Sequence, residues 1–73
     1  MDKNIRLKLA LHLRKLRQKA GWTQEKLAEG ASLSKNYIGN IERGEYDVSV
    51  SVLKRVAVAL GCRATDLLAA ADI

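Results

Sequence analysis

The sequence predicts an all-α fold: one domain, residues 1–73, built as a bundle of five short helices. Three observations predict it. Strand signals are almost absent, the one alternating stretch being "DVSVSV" at 47–52. The chain has no proline, low-complexity stretch or internal repeat. Above all, one helix-start signature recurs. Thr23, Ser34 and Ser49 each stand where a side-chain oxygen accepts a backbone N–H as N-cap. At each of them the residue before the cap and the fourth helical residue are apolar, the pattern of a hydrophobic staple. The pairs are Trp22 with Leu27, Leu33 with Ile38, and Val48 with Leu53.

The elements follow in order. The first helix is expected over 4–19, its apolar stripe carried by Leu9, Leu13 and Leu16. Gly21 lies just beyond it, where a left-handed cap favours glycine. A second helix over 24–30 starts from Thr23, and a third over 35–43 starts from Ser34 and stops at Gly44. "DVSVSV" is read as the start of a fourth helix over 50–60, capped by Ser49 and closed by Gly61. The fifth, over 64–70, keeps the staple pair Cys62 and Leu67 but has Arg63 where a capping oxygen belongs. The expected core is Leu9, Leu13, Leu16, Trp22, Leu27, Leu33, Ile38, Ile41, Val50, Leu53, Val56, Leu60 and Leu67.

Seventy-three residues allow one modest core, seldom worth more than about 3–5 kcal/mol. A single cysteine excludes an internal disulfide, and no Cys/His cluster suggests zinc. A second copy of the chain is the expected supplement. Cys62 reads as a small core residue, with a reactive thiol as the alternative. No apolar run approaches the roughly 18 residues that cross a bilayer, and charges interrupt "IRLKLALHLRKL" too often for a signal peptide. A cytoplasmic location is expected.

The formal net charge is +5, which favours polyanionic partners. Lys3, Arg6, Lys8, Arg14, Lys15, Arg17, Lys19 and Lys26 crowd the first third, opposed there only by Asp2 and Glu25. An ordinary solvated helix face is the alternative reading of that cluster. His12 lies among these residues as an ordinary half-exposed side chain. With no second histidine, paired acid or nucleophile, no catalytic constellation forms. No enzyme activity, metal, cofactor or small-molecule effector is expected.

The third helix carries the unusual face. Ile38 and Ile41 face inward with Leu33, while Lys35, Asn36, Gly39, Asn40 and Arg43 fall in one opposite sector at about 100° per residue. Asparagine and glycine are poor helix formers, so their place on an exposed face asks for a function. Helices two and three are separated only by 30–34 and must meet steeply, with small Ala28 at the crossing and Leu27, Ala31 and Leu33 closing the corner. That is a helix-turn-helix, about residues 24–43.

At this point the chain resembles a known family. "TQEKLA", "YIGNIERG" and "VLKRVAVALG", in this order and spacing, are similar to the Cro/C1-type repressor domain, a lambda-repressor-like five-helix fold, over nearly the whole chain. "ERGEYDVSVSVL" and the absence of a further domain look most similar to controller proteins of restriction–modification systems. The chain departs from the family pattern in three respects. Ser32 replaces the usual corner glycine, Val48 the usual proline, and Glu45 and Asp47 stand where relatives often carry basic residues.

A recognition helix meets base edges with its N-terminal residues. Those are Lys35, Asn36 and, one turn on, Asn40; asparagine matches N6 and N7 of adenine, and lysine suits O6 and N7 of guanine. The resemblance aligns the same three with base-contacting positions. It aligns Gln24 with a phosphate contact at the amino end of helix two, where free N–H groups face an anion. Thr23, Ser34, Tyr37 and Arg43 are further phosphate candidates. Thr23 and Ser34 also read as caps alone, Tyr37 as a packing residue and Arg43 as a helix-dipole partner. The resemblance further implies a largely buried structural ion pair between Arg17 and Glu42.

The function so implied is a sequence-specific transcription regulator acting as a homodimer on palindromic double-stranded DNA. The dimer surface is expected at helix five and "LLAAADI" with the preceding loop, against the alternative of a tail packed on the domain. The competing function is a protein-interaction module, such as an antitoxin-like partner, working through "GEYDVSVSV" or "LLAAADI".

Overall fold

The computed structural model describes residues 2–71, which form five helices: α1 Lys3–Lys19, α2 Gln24–Ala31, α3 Lys35–Glu42, α4 Val50–Leu60 and α5 Ala64–Ala70. The side-chain oxygens of Thr23, Ser34 and Ser49 accept from the backbone N–H of Lys26, Tyr37 and Val52 at 3.1, 3.0 and 3.1 Å. α1 starts one residue earlier than expected because the Asp2 carboxylate accepts from the Ile5 N–H at 2.8 Å. α2 runs one residue longer, and Arg43 is the C-cap of α3 rather than its last residue. α5 lacks a capping oxygen at Arg63. Its carboxylate at Asp66 instead accepts the Arg63 N–H at 3.1 Å, tying the first turn from inside.

The corner between α2 and α3 turns at Ser32, which adopts left-handed φ 56° and ψ 43°. The turn therefore keeps the backbone that glycine would supply, at the steric cost of a Cβ there. Two features hold it. The Leu33 N–H donates back to the Ala28 carbonyl at 2.8 Å, a bond that closes a helix C-terminus. From α4, the Arg55 guanidinium donates to the carbonyl of Ala31 at 3.0 Å and to that of Ser32.

α2 packs on α3 and α4, α1 on α3 and α5, and α4 on α5. Leu9, Leu13, Leu27, Ile38, Ile41, Leu53, Val56 and Leu67 are buried, and Leu16, Trp22, Leu33 and Leu60 are half-buried against them. Val50 is the exception: it is 76% exposed. It is in phase with Leu53 and Ala57, but it opens α4, in a first turn where Ser49 and Ser51 are exposed too. Half-buried Val48 covers the core there instead. Ala10, Ala28, Ala31, Ala57 and Ala71 complete the interior, letting short helices approach closely enough to fill it.

Within "LLAAADI", Leu67 and Ala71 are buried and Leu68 is half-buried, so much of this segment's apolar surface serves the domain's own core. Asp72 and Ile73 lie outside the described residues. Cys62 is half-buried beside the core, as a small core residue would be. Burial, reinforced by Asp66, pushes its thiol pKa up. Among the described residues no helix is long and apolar enough to cross a membrane.

Candidate nucleic-acid interface

α3 owes its position to its inner face. Ile38 and Ile41 are buried in the core, and Glu42, one residue on, reaches α1. The Glu42 carboxylate accepts from Arg17 twice, from Nε at 2.7 Å and Nη2 at 3.0 Å. It also accepts from Gln24 Nε2 at 3.1 Å, and Arg17 Nη1 donates to the Trp22 carbonyl at 2.7 Å. One buried cluster thus ties α1, the turn after it, the start of α2 and the end of α3. The hydrogen bond and charge of Glu42 raise the Arg17 pKa against the opposing effect of burial.

With the inner face fixed, the outer face of α3 is presented outward. Lys35 and Asn36 are exposed near its amino end, with Arg43 exposed at its carboxyl end and Asn40 half-buried between. Together with Gln24 they line a shallow polar hollow. Gly39, expected on the exposed sector, is buried. The Arg43 guanidinium lies 3.1 Å from where a Cβ would stand, and Gln24 Oε1 lies 3.6 Å away. Glycine at this position lets Arg43 fold back across the helix.

Arg43 has a reason to fold back. Its Nε donates to Glu45 at 2.7 Å, and its Nη2 donates to Asn40 Oδ1. Asn40 Nδ2 in turn donates to the Tyr46 hydroxyl at 3.0 Å. The Tyr46 ring meets that of Tyr37 edge-on, with centroids 5.4 Å apart and planes at 78°. The loop after α3 therefore closes onto the helix's outer face, and Asp47 within it pairs with Arg6 of α1 at 3.3 Å. The acidic residues of this loop engage the domain's own arginines.

The candidate phosphate residues lie around the same hollow. The amide N–H groups of Gln24 and Glu25 open α2 and have no partner earlier in that helix. Thr23 and Ser34 serve as caps, but only their lone pairs are used, which leaves each hydroxyl proton free to donate. Tyr37 is half-buried, with its ring against Tyr46. Lys35, Asn36, Asn40, Gln24 and Arg43 are thus brought together, with Thr23 and Ser34 at the adjoining helix starts.

Glu45 and Tyr46 as partners of this face, and Arg55 as the clamp on the α2–α3 turn, were missed by sequence reasoning. Tyr46 lies six residues beyond Asn40 and shares no helical spacing with it. The two meet only because Gly44, at φ 72°, turns the chain back, with the Glu45 N–H donating to the Asn40 carbonyl at 3.1 Å.

Known proteins share this helix-turn-helix fold. The helix-turn-helix family HTH_3 matches residues 13–67. The chain belongs to this family. Its members are DNA-binding regulators of transcription, and the expected likeness to Cro/C1-type regulators and to controller proteins holds. Control protein C.BamHI of Bacillus amyloliquefaciens is 41% identical over 69 residues, covering 93% of this chain and 85% of that protein. A hypothetical transcription factor of Neisseria meningitidis serogroup B is 34% identical over 67 residues, covering 92% of this chain. The match spans 63% of the Neisseria protein, just under two thirds. The crystal structure of the restriction-modification controller protein C.AhdI from Aeromonas hydrophila superposes with a TM-score of 0.83 at 35% identity, over 85% of this chain and 94% of that one.

Proposed function

We propose that the protein is a sequence-specific transcription regulator that binds a palindromic operator as a homodimer, in the cytoplasm, with α3 in the major groove. The observation that carries this reading is the outer face of α3: Lys35, Asn36 and Asn40 stand on one side of a helix whose other side is locked into the core. Lys35, Asn36 and Asn40 contact base edges. Gln24, Thr23, Ser34, Tyr37 and Arg43 contact phosphates around them. Arg43 does so without leaving Glu45 or Asn40, because its guanidinium has five N–H donors and those two bonds use only two of them.

Dimerisation follows from affinity. One eight-residue helix reads only a few base pairs, too little to rise above non-specific binding at about 10⁻⁴–10⁻⁶ M. Two copies on half-sites about 34 Å apart reach the range of about 10⁻⁸–10⁻¹¹ M. Light scattering of the protein with DNA selected from a random library tests this. The expected result is a palindromic site and a mass of two chains per site; a single half-site bound by one chain would refute it.

A second reading, protein interaction through "GEYDVSVSV", is favoured by the exposure of Tyr46 and Val50 in that stretch. A tagged chain that retains a stoichiometric protein partner and shows no salt-dependent DNA binding would establish it.

A further inference from the structure

We infer that Tyr46 is a positioning residue for base readout, holding the Asn40 amide with its bidentate edge turned outward. The inference deepens the reading that Asn40 contacts a base and rests on it.

The orientation of Asn40 follows from chemistry. A guanidinium can only donate, so the atom of Asn40 that meets Arg43 Nη2 is the carbonyl oxygen. The amide nitrogen then faces Tyr46, whose hydroxyl oxygen accepts at 3.0 Å. A primary amide has two N–H donors and two oxygen lone pairs. Arg43 uses one lone pair and Tyr46 receives one N–H. One donor and one acceptor remain, the pair that adenine N7 and N6–H require. The contacts within the protein therefore do not compete with a base; they set the amide that reads it.

Tyr46 is itself held. Gly44 reverses the chain after α3, and the Gly44 and Glu45 N–H groups close the helix end onto the carbonyls of Ile41 and Asn40 at 2.9 and 3.1 Å. The edge-on contact with the Tyr37 ring fixes the Tyr46 ring, and with it the place of the hydroxyl. Without that hydroxyl, Arg43 alone anchors the amide from one side. Because the bond to a terminal amide rotates in a broad well, the outward edge then loses its definition. Arg43 gains its own fixed place from Glu45 at 2.7 Å.

The test uses the full chain and DNA selected by it from a random library, with each base pair of the site then substituted in turn. The variants are Tyr46→Phe, Asn40→Ala and the two combined. Asn40→Ala is expected to remove about tenfold discrimination at one base pair per half-site, the scale of one bidentate contact. Tyr46→Phe, which keeps the ring against Tyr37, is expected to lose about threefold at that same base pair. It leaves every other pair, the affinity for random DNA and the melting temperature as they are, and adds nothing when Asn40 is already alanine. If Asn40→Ala removes the preference while Tyr46→Phe leaves it intact, the positioning role is wrong and the base contact stands. Equal weakening on all sequences by Tyr46→Phe overturns the inference as well. If Asn40→Ala changes preference at no base pair, the base contact fails and the inference falls with it.

Discussion

Replacing Arg17 with methionine should nearly unfold the domain, and the size of the effect can be worked from the site. The Arg17 and Glu42 side chains are 11% and 3% exposed, so solvent screens their interaction little and the small values of surface pairs do not apply. Methionine keeps much of the stem's volume but leaves the Glu42 carboxylate with only Gln24 Nε2, at 3.1 Å, as its remaining bond from this cluster. Breaking a buried pair from one side costs about 3–5 kcal/mol. A single core of this size supplies about the same amount. At about 4–8 °C per kcal/mol for a domain of this length, the melting temperature should fall by about 12–40 °C. Circular dichroism during heating and in urea measures it. Arg17→Met with Glu42→Leu should recover most of the loss, because no lone charge is then buried. A loss below about 1 kcal/mol for Arg17→Met, or a double variant as unstable as the sum of the singles, would refute this reasoning.

Further consequences follow from the turns and the thiol. Ser32→Gly should stabilise the domain by about 0.5–1 kcal/mol, since a left-handed Cβ costs about 1–2 kcal/mol and glycine's extra unfolded freedom offsets part of it; a raised urea midpoint would show it. Gly44→Ala should cost about 0.5 kcal/mol beyond Gly61→Ala, because the half-exposed Leu7 side chain must turn aside. Both sites have positive φ, but at Gly44 a Cβ would stand 2.8 Å from Leu7 Cδ2, whereas Gly61 is open. Cys62 should alkylate with iodoacetamide more slowly than the same thiol in urea-unfolded chain at pH 8, because burial and Asp66 raise its pKa. The folded state favours the protonated thiol, so that contribution is complete below the unfolded thiol's pKa and fades as pH rises through the raised folded value. Cys62→Ala should remove this alkaline decline.

The helices were legible because their starts are local. Thr23, Ser34 and Ser49 each carry their cap and staple within a few residues, and the structure keeps all three. Val50 was misread because periodicity gives the direction of a side chain and not whether another helix reaches it; at the start of α4, Val48 and Val52 pack on the core while Val50 stands clear. At the candidate site, the identity of the outward residues was legible and their mutual engagement was not. The sector rule put Gly39 beside Asn36 and Asn40, yet Arg43 and Gln24 cover it, since long side chains travel across a helix face that a wheel treats as open. Tyr46 reaches Asn40 through a left-handed turn at Gly44, a tertiary contact without a fixed sequence spacing. Arg55 likewise caps a turn 23 residues away.

In the proposed function the outer face of α3 reads sequence while Gln24 grips backbone. Base-by-base binding of Asn36→Ala and Gln24→Ala to the selected operator tests it most directly. Asn36→Ala should relax preference at one base pair of each half-site by about 1–3 kcal/mol, while Gln24→Ala should weaken all sequences alike. Unchanged affinity and preference for Asn36→Ala would contradict it.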